Sequence, residues 1–169
     1  GAPVFHFDVL PWGGGTPRYV LFISEKWLAI YDAKERRWVF SWVPVVPLTG
    51  GAPIAAGPDH LEVLLASEDG LLRAIRWQGK LEAPASVTVI RPGDVMERVT
   101  PFTGTPGQAL LSGHAGLYLF RGPDSLERLR EGAFVDACRL PGTESVVGVT
   151  STGEVVRMDR DESSAGTSK

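Results

Sequence analysis

Few residues in this sequence have the types and the spacing that metal binding or catalysis requires. The three histidines, His6, His60 and His114, are far apart, and no pair has the spacing of a local zinc site. The single cysteine, Cys138, excludes an intramolecular disulfide and a zinc site built from several cysteines. Its strand alternates apolar residues, which predicts a buried, unreactive thiol. We therefore expect no catalytic residue, no metal and no cofactor.

The glycine-rich stretch PWGGGTP, residues 11–17, is the nearest approach to a phosphate-binding loop. It lacks the Lys-Ser or Lys-Thr pair that follows the glycines in such loops, and no helix pattern comes after it. The sequence also has no Gly-x-Ser-x-Gly motif that would place a nucleophilic serine on a sharp turn. We interpret residues 11–17 as a flexible loop between two strands. The alternative is that Trp12 is an exposed anchor for a partner.

The segment KERRWVFSW, residues 34–42, combines basic and aromatic side chains. Strict strand alternation would place Trp38, Phe40 and Trp42 on one face, directly after Arg36 and Arg37. Trp and Arg are enriched among residues that dominate the energy of protein interfaces. The predicted partner-binding residues are Trp12, Arg36, Arg37, Trp38 and Trp42. The alternative is that the aromatic rings pack in a core between sheets.

Composition limits the kinds of partner and location. The chain has 169 residues, a formal net charge of −3 and a pI near 5.6, so it offers no general attraction for nucleic acid. No apolar run reaches the roughly 20 residues of a membrane span. We see no pattern of a secretory signal peptide. The single cysteine fits a reducing compartment, and we expect an intracellular protein, cytoplasmic or nuclear.

The pattern along the chain is that of short strands separated by turns. Twenty glycines and 13 prolines bound runs rich in Val, Ile, Leu and aromatic residues. The predicted strands are 4–10, 19–24, 27–32, 38–43, 61–67, 71–77, 85–90, 108–113, 116–122, 134–140, 145–151 and 154–159. Pro123–Gly132 fits a short capped helix and an edge strand equally well. We expect one domain over residues 1–160 and a disordered polar tail over residues 161–169.

A unit of strand, short polar turn and strand occurs four times. Its turns are anchored at Lys26, Gly70, Gly116 and Gly153, at intervals of 44, 46 and 37 residues. Recurrence near forty residues, with several strands in each period, is typical of β-propeller blades. The best-preserved copy is SEDGLLRAIRW, residues 67–77.

This copy resembles the WD-repeat and related quinoprotein-like β-propellers. In WD repeats, a Ser-x-Asp-Gly turn joins the second and third strands of a blade, and the third strand ends in Trp-Asp or a similar pair. Ser67–Gly70 matches that turn, and Tyr31-Asp32 and Met158-Asp159 stand where Trp-Asp would stand. Two departures weaken the likeness, because Lys26 replaces the turn glycine and Gly113-His114 is not at the position of the family's Gly-His pair.

The resemblance implies an all-β, propeller-like fold of about four blades of four antiparallel strands, with the last blade incomplete. The alternative fold is another antiparallel β-sandwich or a tandem β-sheet domain. The function we expect is a non-enzymatic scaffold that binds proteins through loops and blade edges. A second possibility is a structural assembly element, completed by another propeller portion or by a second copy. A third is a propeller hydrolase or lyase, which would need polar side chains from several blades to converge.

Overall fold

The computed structural model describes residues 3–159, and among them it contains β-strands, turns and loops without a helix. The sequence predicted as a disordered tail, residues 161–169, lies outside the described part. The strands are β1 Val4–Leu10, β2 Tyr19–Ser24, β3 Trp27–Asp32, β4 Arg37–Trp42, β5 Leu48–Ala56, β6 His60–Ser67, β7 Leu72–Gln78, β8 Ser86–Ile90, β9 Met96–Pro101, β10 Ala109–Gly113, β11 Gly116–Gly122, β12 Ser125–Glu131, β13 Phe134–Arg139, β14 Val146–Thr150 and β15 Val155–Met158.

The strands form four separate antiparallel sheets in chain order. Sheet 1 contains β1–β4, sheet 2 contains β5–β8, sheet 3 contains β9–β12, and sheet 4 contains only β13–β15. Each strand pairs with the next one along the chain, so every sheet is a simple meander. The four predicted turns, at Lys26, Gly70, Gly116 and Gly153, each join the second and third strands of a sheet. The expected short last unit is therefore present.

One alternative left open by the sequence is decided, and two strands were not predicted. Within Pro123–Gly132, residues Ser125–Glu131 form the edge-strand alternative, β12, which lies at the outer edge of sheet 3. Its charged side chains protect that edge from pairing with other chains. Strands β5 and β9 were not among the predicted strands. In the structure both are the first strands of their sheets, β5 in sheet 2 and β9 in sheet 3.

The core consists of three layers between consecutive sheets. Each layer is built from the apolar side chains that alternate along the facing strands. Leu21, Ile30 and Val63 belong to the layer between sheets 1 and 2. Leu64 and Phe120 belong to the layer between sheets 2 and 3. The layer between sheets 3 and 4 contains, among others, Leu110, Leu117, Leu119, Phe134 and Val146.

The turn between β6 and β7 shows why Ser-x-Asp-Gly suits this position. Gly70 has a φ of +72°, a left-handed conformation that glycine adopts at little cost. The Ser67 hydroxyl donates to Asp69 at 2.6 Å, and Asp69 also accepts from the Leu71 amide and from Arg73. Partial burial acts to raise the pKa of Asp69, but these hydrogen bonds together lower it. Asp69 is thus a turn residue with its polar contacts satisfied.

The end of β3 is fixed by a buried carboxylate. Asp32 accepts from Arg18 Nε at 2.7 Å and makes a second hydrogen bond to Arg18 Nη2. It also accepts from the backbone amides of Lys34 and Glu35, each at 3.0 Å. The hydrogen bonds from Arg18 lower the pKa of Asp32 well below its ordinary value. Asp32 therefore ties the β1–β2 loop to the turn that begins β4.

We expect Asp32→Asn to lower the midpoint of thermal unfolding by about 5 °C or more at neutral pH. A depressed folded-state pKa contributes stability above the ordinary value of 3.8, and that contribution disappears as the pH falls through the folded pKa. The difference between wild type and variant should therefore narrow in acid. Calorimetry between neutral pH and strong acid measures it. Asp59→Asn is the matched control, because that side chain is 68% exposed. If the difference in unfolding midpoint between wild type and Asp32→Asn stayed constant with pH, the ionised Asp32 carboxylate would not be the source of the stability.

Candidate functional site

Sheet 1 has one face that no other sheet of the described residues covers. Strand alternation and pairing place the following residues on this face: Val4, Phe7, Val9, Val20, Phe22, Ser24, Trp27, Ala29, Tyr31, Trp38 and Ser41. None of these residues is charged. We call this surface the aromatic face. Phe7 is 62% exposed and Trp38 is 44% exposed. A contiguous apolar surface that is open to solvent is a feature that many protein interaction sites share.

The rings on the aromatic face form one connected cluster with Trp38 at its centre. Trp38 lies edge-on to Trp27 at 4.5 Å, to Tyr31 at 4.9 Å and to Phe22 at 5.6 Å between ring centroids. Phe7 lies against Phe22 at 4.8 Å. The Trp27 indole Nε1 donates to the Ser41 hydroxyl at 2.8 Å. These contacts hold the rings in fixed positions, so little side-chain entropy would be lost when a partner covers them.

A β-bulge decides which aromatic side chains of β4 reach this face. Ile30 pairs with Phe40, whereas the next residue, Tyr31, pairs with Trp38, so Val39 is an extra residue in β4. Trp38 consequently points to the aromatic face, and Phe40 points to the core layer between sheets 1 and 2. The prediction that Trp38, Phe40 and Trp42 share one face was wrong, because strict alternation fails at the bulge.

The other predicted binding residues are divided between two places. Trp12 and Trp42 are half-buried and pack against the core layer between sheets 1 and 2. Arg36 and Arg37 are exposed at the β3–β4 turn, beside the start of β4. Arg36 has a φ of +53°, which is uncommon for a residue other than glycine. The five residues therefore do not form one surface, and their role in binding stays a prediction.

Sheet 4 also has a face that no other sheet between residues 3 and 159 covers. Pairing places Asp136, Cys138, Val147, Val149, Val155 and Arg157 there, and we call it the valine face. Val155 is 68% exposed. Cys138 is exposed as well, which corrects the prediction of a buried thiol. Cys138 is exposed because sheet 4 is the last of the four described sheets and packs against another sheet on one face only. In an inner sheet, a strand with the same pattern would be covered on both faces.

A groove lies where the first strands of the sheets come together. It has a volume of about 390 Å³ and is lined by β1, β5 and β9, with Val135 of β13. His6 reaches it, and burial lowers the pKa of this imidazole. Two polar residues there already have partners, since Glu97 contacts His114 at 2.6 Å and Arg98 contacts Asp136 at 3.1 Å. The groove carries no arrangement that identifies a reaction.

Between residues 3 and 159, no group of three or more His, Cys, Asp or Glu side chains is arranged to hold a metal ion. Over the same range, no helix is long and apolar enough to cross a membrane. These observations leave the uncovered sheet faces as the features that most strongly indicate a function.

Sequence reasoning missed most of the aromatic face, although a signal was present. In β3, Trp27 and Tyr31 alternate with Leu28 and Ile30, so both faces of the strand are apolar. Apolar residues on both faces are typical of strands that are covered on both sides. This pattern in β3 is the sequence signal that indicates Trp27 and Tyr31 as candidate binding residues.

Comparison with known proteins supports the fold. No family model matches the chain, and no curated protein matches it either. Similar solved structures include the β-propeller domain of Cps50 (Swd1) from Myceliophteria thermophila, with 16% identity and a TM-score of 0.65, over 92% of this chain and 50% of that chain. BBS1N, solved in complex with ARL6DN, matches with 13% identity and a TM-score of 0.65, over 94% of this chain and 52% of that chain.

A third structure, U3-55K, matches with 13% identity and a TM-score of 0.61, over 84% of this chain and 43% of that chain. The chain therefore spans about half the length of the first two of these proteins. Identities this low establish the fold alone, and with the four meander sheets they confirm the resemblance to β-propellers. The four sheets are propeller blades, and the described residues form part of a β-propeller whose last blade has three strands.

Proposed function

We propose that this chain is a non-enzymatic interaction scaffold that binds a protein partner through the aromatic face of sheet 1. The observation that carries the proposal is the fixed, uncharged cluster of rings around Trp38, which is open to solvent on one side. Aromatic side chains in pre-organised clusters supply much of the binding energy at protein interfaces.

The comparisons support a scaffold of this kind. BBS1N was solved in complex with ARL6DN, so a propeller similar to this one binds another protein. The inner faces of the sheets are occupied by the three core layers, which leaves loops, edges and the two end faces for binding. Of these, the aromatic face has the largest rings and no charge to desolvate.

The proposal is tested by capture of partners with matched variants of the full chain. Trp38→Glu places a charge at the centre of the aromatic face, and Val87→Glu places one on the exposed edge strand β8, where Val87 is 52% exposed. We expect at least one protein, then confirmed with purified components, to bind wild type and Val87→Glu but to bind Trp38→Glu at least about tenfold more weakly.

Circular dichroism and thermal unfolding verify that both variants keep the fold. If Trp38→Glu retained every partner of the wild type, or if Val87→Glu lost the same partners, the aromatic face would not be the binding surface.

A further inference from the structure

The outer edge of sheet 2 differs in composition from the outer edges of the other sheets. β8 is the last strand of sheet 2, and its sequence, SVTVI, contains no charged residue and no proline. The last strand of sheet 3, β12, has four charged side chains, and the last strands of sheets 1 and 4 contain Arg37 and Arg157. Proteins normally protect free strand edges from other chains with charges, prolines or bulges. β8 has neither the charges nor the prolines.

β8 is also a regular strand. It pairs with β7 in one continuous register from Ser86 to Ile90, whereas β4 and β12 each have a register shift against their neighbours. Such a strand keeps its outward backbone N–H and C=O groups in line, as pairing with another strand requires. Between residues 3 and 159, no other strand pairs with the outer side of β8. This edge can therefore accept one more strand.

The side chains of β8 suit a strand that is paired on both sides. Val87 and Val89 lie on one face of the strand, and each is 52% exposed. Thr88 lies between them on the opposite face and is exposed as well. With Ile90, four of the five residues are β-branched, which favours a pleated, half-buried surface. A second strand along this edge would cover part of both valines.

We propose that β8 pairs with β8 of a second copy of this chain, antiparallel and about a twofold axis at Thr88. Thr88 is the middle residue of the strand, so this antiparallel register pairs all five residues of both strands. Thr88 then lies opposite Thr88, and Val87 lies opposite Val89 of the second copy. Threonine pairs and pairs of β-branched side chains are favourable cross-strand neighbours. The strand is therefore complementary to itself, as a twofold interface requires.

The charges beside the edge do not oppose this pairing. Arg91 is the first charged residue after β8, and in the Thr88 register it lies opposite Ala85 of the second copy. Like charges therefore do not meet directly across the strands, where they would be destabilising. Pro84 and Pro92 lie just outside the paired residues, and proline cannot donate a hydrogen bond to the ladder. The pairing is thereby confined to one short segment of each copy.

The length of the edge sets the strength of the dimer. Five residues of strand span about 17 Å, so the pairing buries much less than the roughly 800 Å² per partner of a standard stable interface. We therefore expect a reversible dimer with a dissociation constant on the order of 100 µM. In this dimer the two copies of sheet 2 form one continuous sheet, with four strands from each copy. The contact is separate from the aromatic face, which lies on sheet 1.

Charge substitutions at the twofold axis test both the dimer and its register. Thr88→Lys would place two lysines opposite each other, and Thr88→Glu would place two glutamates there. Sedimentation equilibrium of the full chain, from about 10 µM to about 1 mM, should show the wild type approaching twice 18.2 kDa. Each variant alone should have its dimer dissociation constant raised at least roughly tenfold. An equimolar mixture should restore dimerisation, because lysine then faces glutamate.

Ser125→Lys is the matched control, because Ser125 is exposed on the outer strand β12 of a different sheet. It should dimerise as the wild type does, and circular dichroism verifies that every variant keeps the fold. A wild type that stays monomeric at about 1 mM would overturn the inference. So would a mixture that dimerises no better than Thr88→Lys or Thr88→Glu alone.

Capture of partners through the aromatic face is read out separately from this dimer. Val87→Glu also alters β8, so it should weaken the dimer and still bind the partner that Trp38→Glu loses. If the wild type were monomeric but its capture of a partner still depended on Trp38, the inference would fail and the proposed function would stand. If the wild type dimerised through β8 but Trp38→Glu kept every partner, the proposed function would fail and the inference would stand.

Discussion

Trp77→Ala is expected to lower the free energy of unfolding by about 3–5 kcal/mol. Trp77 is 1% exposed and belongs to the core layer between sheets 1 and 2, where its ring meets Phe40 edge-on at 5.2 Å. Truncation would remove this contact and leave a cavity at the centre of the layer. Because the two sheets approach each other through this layer, they cannot close the cavity without separating elsewhere.

The control for this prediction is Trp77→Phe. The Trp77 Nε1 atom is buried without a hydrogen-bond partner within the described residues, so phenylalanine removes an unsatisfied polar group together with part of the ring. We expect a cost below about 1.5 kcal/mol. Urea unfolding followed by circular dichroism measures both variants. Equal losses for alanine and phenylalanine would contradict the assignment of the effect to the volume of the ring.

Gly51→Val is expected to lower the free energy of unfolding by about 3 kcal/mol. A Cβ atom at Gly51 would lie 2.7 Å from Ile23 Cγ2 and 2.7 Å from Leu65 Cδ2. Ile23 and Leu65 are both fully buried, so neither methyl group has free space to move into. The glycine therefore allows β5 to approach sheet 1 closely, and a side chain would push the two sheets apart.

Gly15→Ala is the matched control, because a Cβ atom there would meet no atom within 4 Å. We expect its stability to equal that of the wild type within about 0.5 kcal/mol. The same denaturation measurement compares the variants. A Gly51→Val protein as stable as Gly15→Ala would show that sheets 1 and 2 are not in tight contact at β5.

Some strands could be predicted from the sequence because the local residue preferences agree with the packing in the folded chain. β1, β2, β3 and β11 have the predicted bounds, since each is a run of apolar and aromatic residues between turn residues. β5 was missed because its sequence, LTGGAPIAA, has two glycines and a proline, all of which weaken strand propensity. Gly51 is present for close packing against another sheet, and single-sequence propensity contains no information about that contact.

The candidate site was only partly predictable for a similar reason. Trp38 was identified from its residue type, but its face depends on the extra residue Val39, and alternation cannot locate a bulge. The exposure of Phe7 and of Cys138 depends on which sheets lie at the ends of the series. The order of the sheets is a tertiary property, so both side chains were indistinguishable from those of an inner sheet.

The succession of core layers has a consequence for how the chain unfolds. Sheets 2 and 3 are each held by two layers, whereas sheets 1 and 4 are each held by one. Stability in such an array is a sum of terms for each unit and for each junction between neighbours. Local unfolding therefore costs least at the two ends, and least of all in three-stranded sheet 4. Any contact that covers an end face adds a junction and converts the most easily opened unit into an interior one.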